Sequence, residues 1–252
     1  MLYYKADIGV IGGSGFYELI PDVRKISVDT RYGNPSEDIS LANIGDKQVA
    51  FLPRHGQDHR FNPSEINYRA NIDAMYQLGV KALISPCCVG SLRPDMKPGD
   101  FVVTDQFINF TSGRKDTFFE SPKVEHLSAA HPYDDNLRQL ALREARGLGI
   151  TVHDGGTVVV INGPRFSTQA ESRMFGILGA DIINMTQYPE GYLCIEKGIP
   201  VVNIALVTDY DAGLEGRDDI KPVTGDEVLR VLAENNEKVK KLIFKLIDAI
   251  EV

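Results

Sequence analysis

Cysteine is scarce in this 252-residue chain and positive charge is in the minority, with three cysteines and 27 Lys and Arg against 35 Asp and Glu, a formal net charge of −8. Three thiols, two of them adjacent as Cys87 and Cys88, do not make a disulfide framework and suit a reducing compartment. The few cations do not gather. The longest basic run is Lys238, Lys240 and Lys241, on a segment that also carries Glu234 and Glu237, which argues against a nucleic-acid partner because that needs a concentrated basic face. No apolar stretch approaches the roughly 18 residues of a membrane span, and residues 1–7 show no basic start followed by an apolar run. A soluble, unexported, cytoplasmic protein with no membrane partner is expected. Any anionic ligand must be held by a few local donors against the overall charge.

What is present is an apolar content of 43%, enough for one substantial core, and a single domain over residues 1–252 is expected. Short β-branched runs at 8–12, 48–53, 81–88, 101–108, 157–162, 181–185 and 201–209 read as strands, several apolar on nearly every residue, as when both faces of a sheet are covered. Between them 67–78, 135–148 and 170–178 read as helices, the third behind the capping box Thr168 and Glu171. A second box, Thr224 and Glu227, precedes a stripe of Val228, Leu232, Val239, Ile243, Leu246 and Ile250. It predicts a long amphipathic helix over about 224–251. The fold class is α/β, a central mixed β-sheet flanked by helices. In such folds ligands bind beyond the carboxyl ends of the strands.

The strand ends carry the chemistry. Gly12-Gly13-Ser14-Gly15 follows the first strand, where small residues let backbone N–H groups approach an anion. Glu18 fails the third glycine of a dinucleotide fingerprint and no Gly-Lys-Ser/Thr follows, so a plain tight turn stays open. Pro53-Arg54-His55-Gly56 brings a guanidinium that can fork onto phosphate beside a titratable ring. The His55 and His59 spacing lacks the glutamate and third ligand of a zinc site. Pro86-Cys87-Cys88-Val89-Gly90-Ser91 reads as a small-residue turn with buried thiols. Phe166 offers a flat face, Ser167 a hydroxyl, and Thr186 either a helix cap or an anion donor, with Met185 before it. Asp209 and Asp211, two apart on an extended segment, point to one side, and partial burial raises at least one of them.

These residues resemble the trimeric purine nucleoside phosphorylase and methylthioadenosine phosphorylase family. The resemblance is carried by Ile8-Gly9-Val10-Ile11-Gly12-Gly13-Ser14-Gly15, Pro53-Arg54-His55-Gly56, Gly163-Pro164-Arg165-Phe166-Ser167-Thr168, Asn184-Met185-Thr186 and Thr208-Asp209-Tyr210-Asp211, in order from about residue 7 to residue 213. It implies the nucleoside phosphorylase fold and a homotrimer with a site near the subunit interface. It also implies no metal and no organic cofactor, with inorganic phosphate as co-substrate. Phosphate then maps to Ser14, Arg54, His55, the Cys87–Cys88 turn and Thr186, Cys87 departing from the threonine common in methylthioadenosine-type relatives. Met185 lies under the ribose, Phe166 beside the base, and Asp209, Tyr210 and Asp211 at the purine, Asp209 as the acid that protonates N7.

Two positions bear on substrate. Ser167 stands where 6-oxopurine relatives carry a glutamate, and Gly225 where they carry a histidine for the 5′-hydroxyl. The expected reaction is therefore phosphorolysis of 5′-methylthioadenosine to adenine and 5-methylthioribose 1-phosphate. The alternatives are a 6-oxopurine enzyme acting on inosine and guanosine, and a nucleoside-binding protein without turnover. His126 is the candidate lent by a neighbouring subunit.

Overall fold

In a computed structural model, residues 4–13, 23–214 and 217–252 are described; Ser14, with the rest of the glycine-rich turn, lies outside them. The strands in chain order are β1 (Ile8–Gly12), β2 (Arg24–Ile26), β3 (Ile39–Ile44), β4 (Lys47–Pro53), β5 (Ala82–Ser91), β6 (Phe101–Val103), β7 (Gln106–Phe110), β8 (Val152–Asp154), β9 (Thr157–Ile161), β10 (Ile182–Asn184) and β11 (Val201–Asp209). The helices are α1 (Tyr68–Gln77), α2 (Asp135–Gly147), α3 (Gln169–Ile177), α4 (Gln187–Lys197) and α5 (Gly225–Ala249). They form an α/β fold around one mixed sheet of order β2-β3-β4-β1-β5-β10-β9-β7, from which β11, β6 and β8 branch at β5.

Every residue of β1 and β11 is buried, as their unbroken apolar runs predict for strands covered on both faces. One core cluster joins the sheet to α2 and α5 and a second joins it to α1 and α4. The stripe on α5 is buried at Leu232, Val239, Ile243, Leu246 and Ile250. Thr168 and Glu171 form the expected reciprocal capping box at α3.

Two expectations change. The run 101–108 is not one strand: it divides into β6, paired with β11 and β8, and β7, paired with β9. Thr104 and Asp105 at the break bond instead to the Asn203 side chain and the Gly156 N–H, and the sheet forks there. The segment 86–91 is not a turn, because β5 runs on to Ser91 along β11. Strands β2, β3 and β8 were not expected; β2 and β8 are three residues long and mostly exposed or half-buried, and so carry no apolar alternation.

This topology makes the cavity. One edge of β5 is paired with β11 along most of its length. The other edge is paired with β1 at Ala82–Ile84 and with antiparallel β10 at Gly90 and Ser91. Between those two ladders the edge has no strand partner among the described residues, and the ends of β1, β4 and β10 converge on it.

Candidate active site

A cavity of about 260 Å³ opens at this gap. It is lined by Gly13 after β1, Arg54 and His55 after β4, Cys87 to Gly90 within β5, Asn184 to Thr186 at the end of β10, and Thr208, Asp209 and Asp211 at the end of β11. Pro164 and Phe166 come from the loop before α3, and Val228, Leu229 and Leu232 from the first turns of α5. Of the residues expected in a site, Arg54, His55, Cys87, Cys88, Phe166, Met185, Thr186, Asp209 and Asp211 meet here. Tyr210, Ser167 and Gly225 do not line it.

Arg54 is 1% exposed and its fork does not face the cavity. Nε and Nη2 donate to Glu190 of α4 at 2.6 and 2.7 Å, and Nη2 also donates to the Ile11 carbonyl and to Ser85. Nη1 donates to the Pro86 carbonyl at 3.2 Å and holds the remaining N–H. The expectation of a bidentate grip on phosphate is corrected accordingly: one N–H is left for a ligand, because the buried cation needs its own carboxylate. Burial alone would pull the guanidinium down, but Glu190 holds it above its ordinary value. Glu190, which none of the strand-end motifs includes, thus shapes the site.

His55 supplies no cation either. Nδ1 bonds the Phe61 carbonyl at 2.9 Å, so Nδ1 carries the proton and Nε2 is an acceptor. Burial pushes the ring down to about 3. It stacks on His59 with centroids 4.0 Å apart, an arrangement of parallel faces rather than of nitrogens converging on an ion. The empty anion end is thus close to neutral, and attraction there comes from oriented donors. Thr186 is one of them. It is the N-cap of α4, yet its hydroxyl makes no capping bond, because Asn184 Oδ1 accepts from the N–H groups of Thr186 and Gln187. Cys87 Sγ is instead enclosed, accepting from Asn203 and Asn184, and burial raises its pKa; the Cys88 thiol is pushed up to about 12 by burial.

At the opposite end Asp209 Oδ2 accepts from Thr208 Oγ1 at 2.8 Å and Oδ1 from the Asp211 N–H at 2.7 Å. Desolvation outweighs these bonds and pushes Asp209 up to about 6, a useful value for a proton donor near neutrality. Gly90 makes room for it, since a Cβ there would fall 2.8 Å from Asp209 Oδ1. Asp211 reaches the same side through a left-handed turn, φ +48°, rather than through the strand alternation expected of an i, i+2 pair. Burial raises Asp211 too, with Ser172 and Ser167 beside it. Asp211 Oδ2 and Ser167 Oγ are both enclosed. Gly225 is exposed and a Cβ on it would meet nothing within 4 Å, so the expectation that it enlarges a 5′ pocket is corrected. That stretch of wall is Val228, Leu229 and Leu232, three to seven residues along α5, where the helix has turned back toward the sheet.

A family model described as the phosphorylase superfamily matches residues 7–248. The chain is 52% identical to the S-methyl-5′-thioadenosine phosphorylase of Thermofilum pendens over 98% of this chain and 93% of that one. It is 51% identical to that of Saccharolobus solfataricus over 98% and 90%. Among solved structures, methylthioadenosine phosphorylase from Schistosoma mansoni in complex with adenine superposes with a TM-score of 0.91 at 36% identity, covering 98% of this chain and 93% of that one.

Proposed function

Because the chain belongs to the phosphorylase superfamily, we propose that it catalyses phosphorolysis of 5′-methylthioadenosine to adenine and 5-methylthioribose 1-phosphate, a pentosyl transfer to inorganic phosphate. The observation that carries the choice of base is the pair of carboxyl groups, Asp209 and Asp211, on one wall of the cavity. A carboxylate on that wall accepts from a 6-amino group, whereas a 6-oxo group would set oxygen against oxygen. The apolar side chains of Val228, Leu229 and Leu232 suit a thioether better than a hydroxyl.

Phosphate, held by Thr186, the free N–H of Arg54 and donors of the glycine-rich turn that includes Ser14, approaches the anomeric carbon opposite the base. The carbon–oxygen bond forms as the bond to purine N9 breaks, and Asp209 in its acid form gives its proton to N7. Charge develops as a cationic sugar against the phosphate, so the anion both positions and stabilises. The reaction uses no metal and no organic cofactor. The products suit purine and methionine salvage.

We assign the assembly as a homotrimer. Exposed apolar side chains at Met174 and Ile177 on α3, Leu178 just after it and Phe110 on β7 support this reading, and His126, on a wholly exposed segment, is the residue we assign to a neighbouring subunit's site. The deciding measurement is phosphate-dependent release of adenine from methylthioadenosine beside hypoxanthine from inosine. Methylthioadenosine should be preferred. A wild-type preference for inosine would replace this reading with the 6-oxopurine one. Tight binding without turnover would favour a binding protein.

A further inference from the structure

Arg114 lies outside the cavity, and the reaction as described does not use it. Yet its guanidinium is the point where three cavity segments are tied. Nη2 donates to the carbonyls of Met185 at 2.9 Å, Asn162 at 3.2 Å and Ile161 at 3.4 Å, and Nη1 to that of Tyr188 at 2.5 Å. Its face lies over the Tyr68 ring, 5.3 Å from the centroid. Among the described residues no carboxylate pairs with it, and Nε is enclosed without a partner. Desolvation accordingly lowers its pKa. A half-buried cation without a counter-charge is costly, and here its charge is offset by backbone carbonyl dipoles.

Those carbonyls belong to two adjoining walls, at the ends of the parallel neighbours β9 and β10. Ile161 and Asn162 end β9 and lead into Gly163-Pro164-Arg165-Phe166; Met185 follows β10, and Tyr188 lies in α4 behind Thr186. The walls are in tight contact at one point, because a Cβ on Gly163 would overlap the Met185 sulfur. The segment that carries Arg114 is itself fixed. Ser112 and Asn162 bond reciprocally at 3.0 Å, Tyr188 donates its hydroxyl to Asp116, and Thr117 and the Phe118 N–H both bond Glu196 near the far end of α4.

We propose that Arg114 is a positioning residue for the nucleoside: by holding the Asn162 and Met185 carbonyls on one nitrogen, it sets the separation of the Phe166 wall from the Met185 wall. The inference rests on the nucleoside reading of the cavity. Its specificity follows from what Arg114 does not touch, since Arg54 is oriented by Glu190, Ser85 and Ile11. Losing Arg114 should therefore spread the two nucleoside walls and leave Arg54 in place, while Thr186, between the tied Met185 and Tyr188, shifts with one wall, so that phosphate is weakened less than the nucleoside.

The test is steady-state kinetics on the full chain for wild type, Arg114→Ala and Arg114→Lys. Methylthioadenosine is varied at saturating phosphate, phosphate at saturating methylthioadenosine, and thermal unfolding is recorded alongside. The expected result in Arg114→Ala is a rise of about ten- to a hundredfold in KM for the nucleoside, the scale of an ångström-sized misplacement. The phosphate KM should rise by a clearly smaller factor than the nucleoside KM. Lysine can reach only some of the four carbonyls and should restore part of the nucleoside KM. Should the alanine variant not fold, the lysine variant alone must show the same one-sided rise. Equal rises in both constants, or no change in either, would overturn the proposal. An inactive wild type would instead sink the nucleoside reading on which it rests.

Discussion

Asp209 carries two opposite demands. Its pKa rises from 3.8 to about 6 through burial, so the native state holds a proton between about pH 4 and 6 that the unfolded chain has lost. The stability linked to that proton is complete below the unfolded value and is lost as pH climbs through about 6, leaving an ionised, poorly solvated carboxylate at neutrality. Asp209→Asn should then do two things. Turnover of methylthioadenosine should fall by about 10² to 10⁴, the usual worth of a positioned proton donor. The folded state should gain on the order of 2–3 kcal/mol at pH 8, a gain that narrows toward pH 5. The amide also fits, because it can donate to the Thr208 hydroxyl where the carboxylate accepted. Urea unfolding at the two pH values, with rates on the same samples, checks both. Unchanged rates would remove Asp209 as the acid, and lost stability at pH 8 would show that its charge is better solvated than its burial implies.

The helix α5 shows how an element can be foreseen correctly while its contribution to the site is misplaced. Its extent, its Thr224 cap and its buried stripe follow from periodicity, but which early residue faces the cavity depends on the angle at which the helix meets the sheet. Gly225 faces outward, and Val228, Leu229 and Leu232 face in. Gly225→His should accordingly leave the ratio of kcat/KM for methylthioadenosine over inosine unchanged. Val228→Ser should cut that ratio by about fivefold, from losing roughly 1 kcal/mol of apolar contact. The opposite pattern would restore Gly225 as the selecting position.

Across the whole molecule, the Arg54–Glu190 pair joins β4 to α4 and through Ile11, Ser85 and Pro86 touches β1 and β5. Both side chains are 1% exposed. Glu190→Gln leaves the guanidinium buried and uncompensated, which costs about 3–5 kcal/mol and should lower Tm by on the order of 10 °C for a chain of this size. Phosphate then becomes the missing counter-charge. It should raise the Tm of Glu190→Gln by more than it raises that of wild type, because it supplies the charge that the variant lacks. An equal shift in both would mean that the anion does not approach Arg54.

Local pattern determined much of this protein. Apolar runs define β1, β4, β5, β9 and β11, a capping box starts α3 and a Thr224 N-cap starts α5, and the residue motifs at strand ends name most of the cavity lining, since those signals act over a few residues along the chain. The fork of the sheet at β5, the left-handed turn that aims Asp211, and the pairing of Arg54 with a glutamate 136 positions away arise only when distant segments pack. Charge state belongs to the same class. Arg54 and His55 read as a cation and a titratable ring beside it, but the fold neutralises the first with Glu190 and the second by burial, because the free energy of a charge depends on what surrounds it in three dimensions.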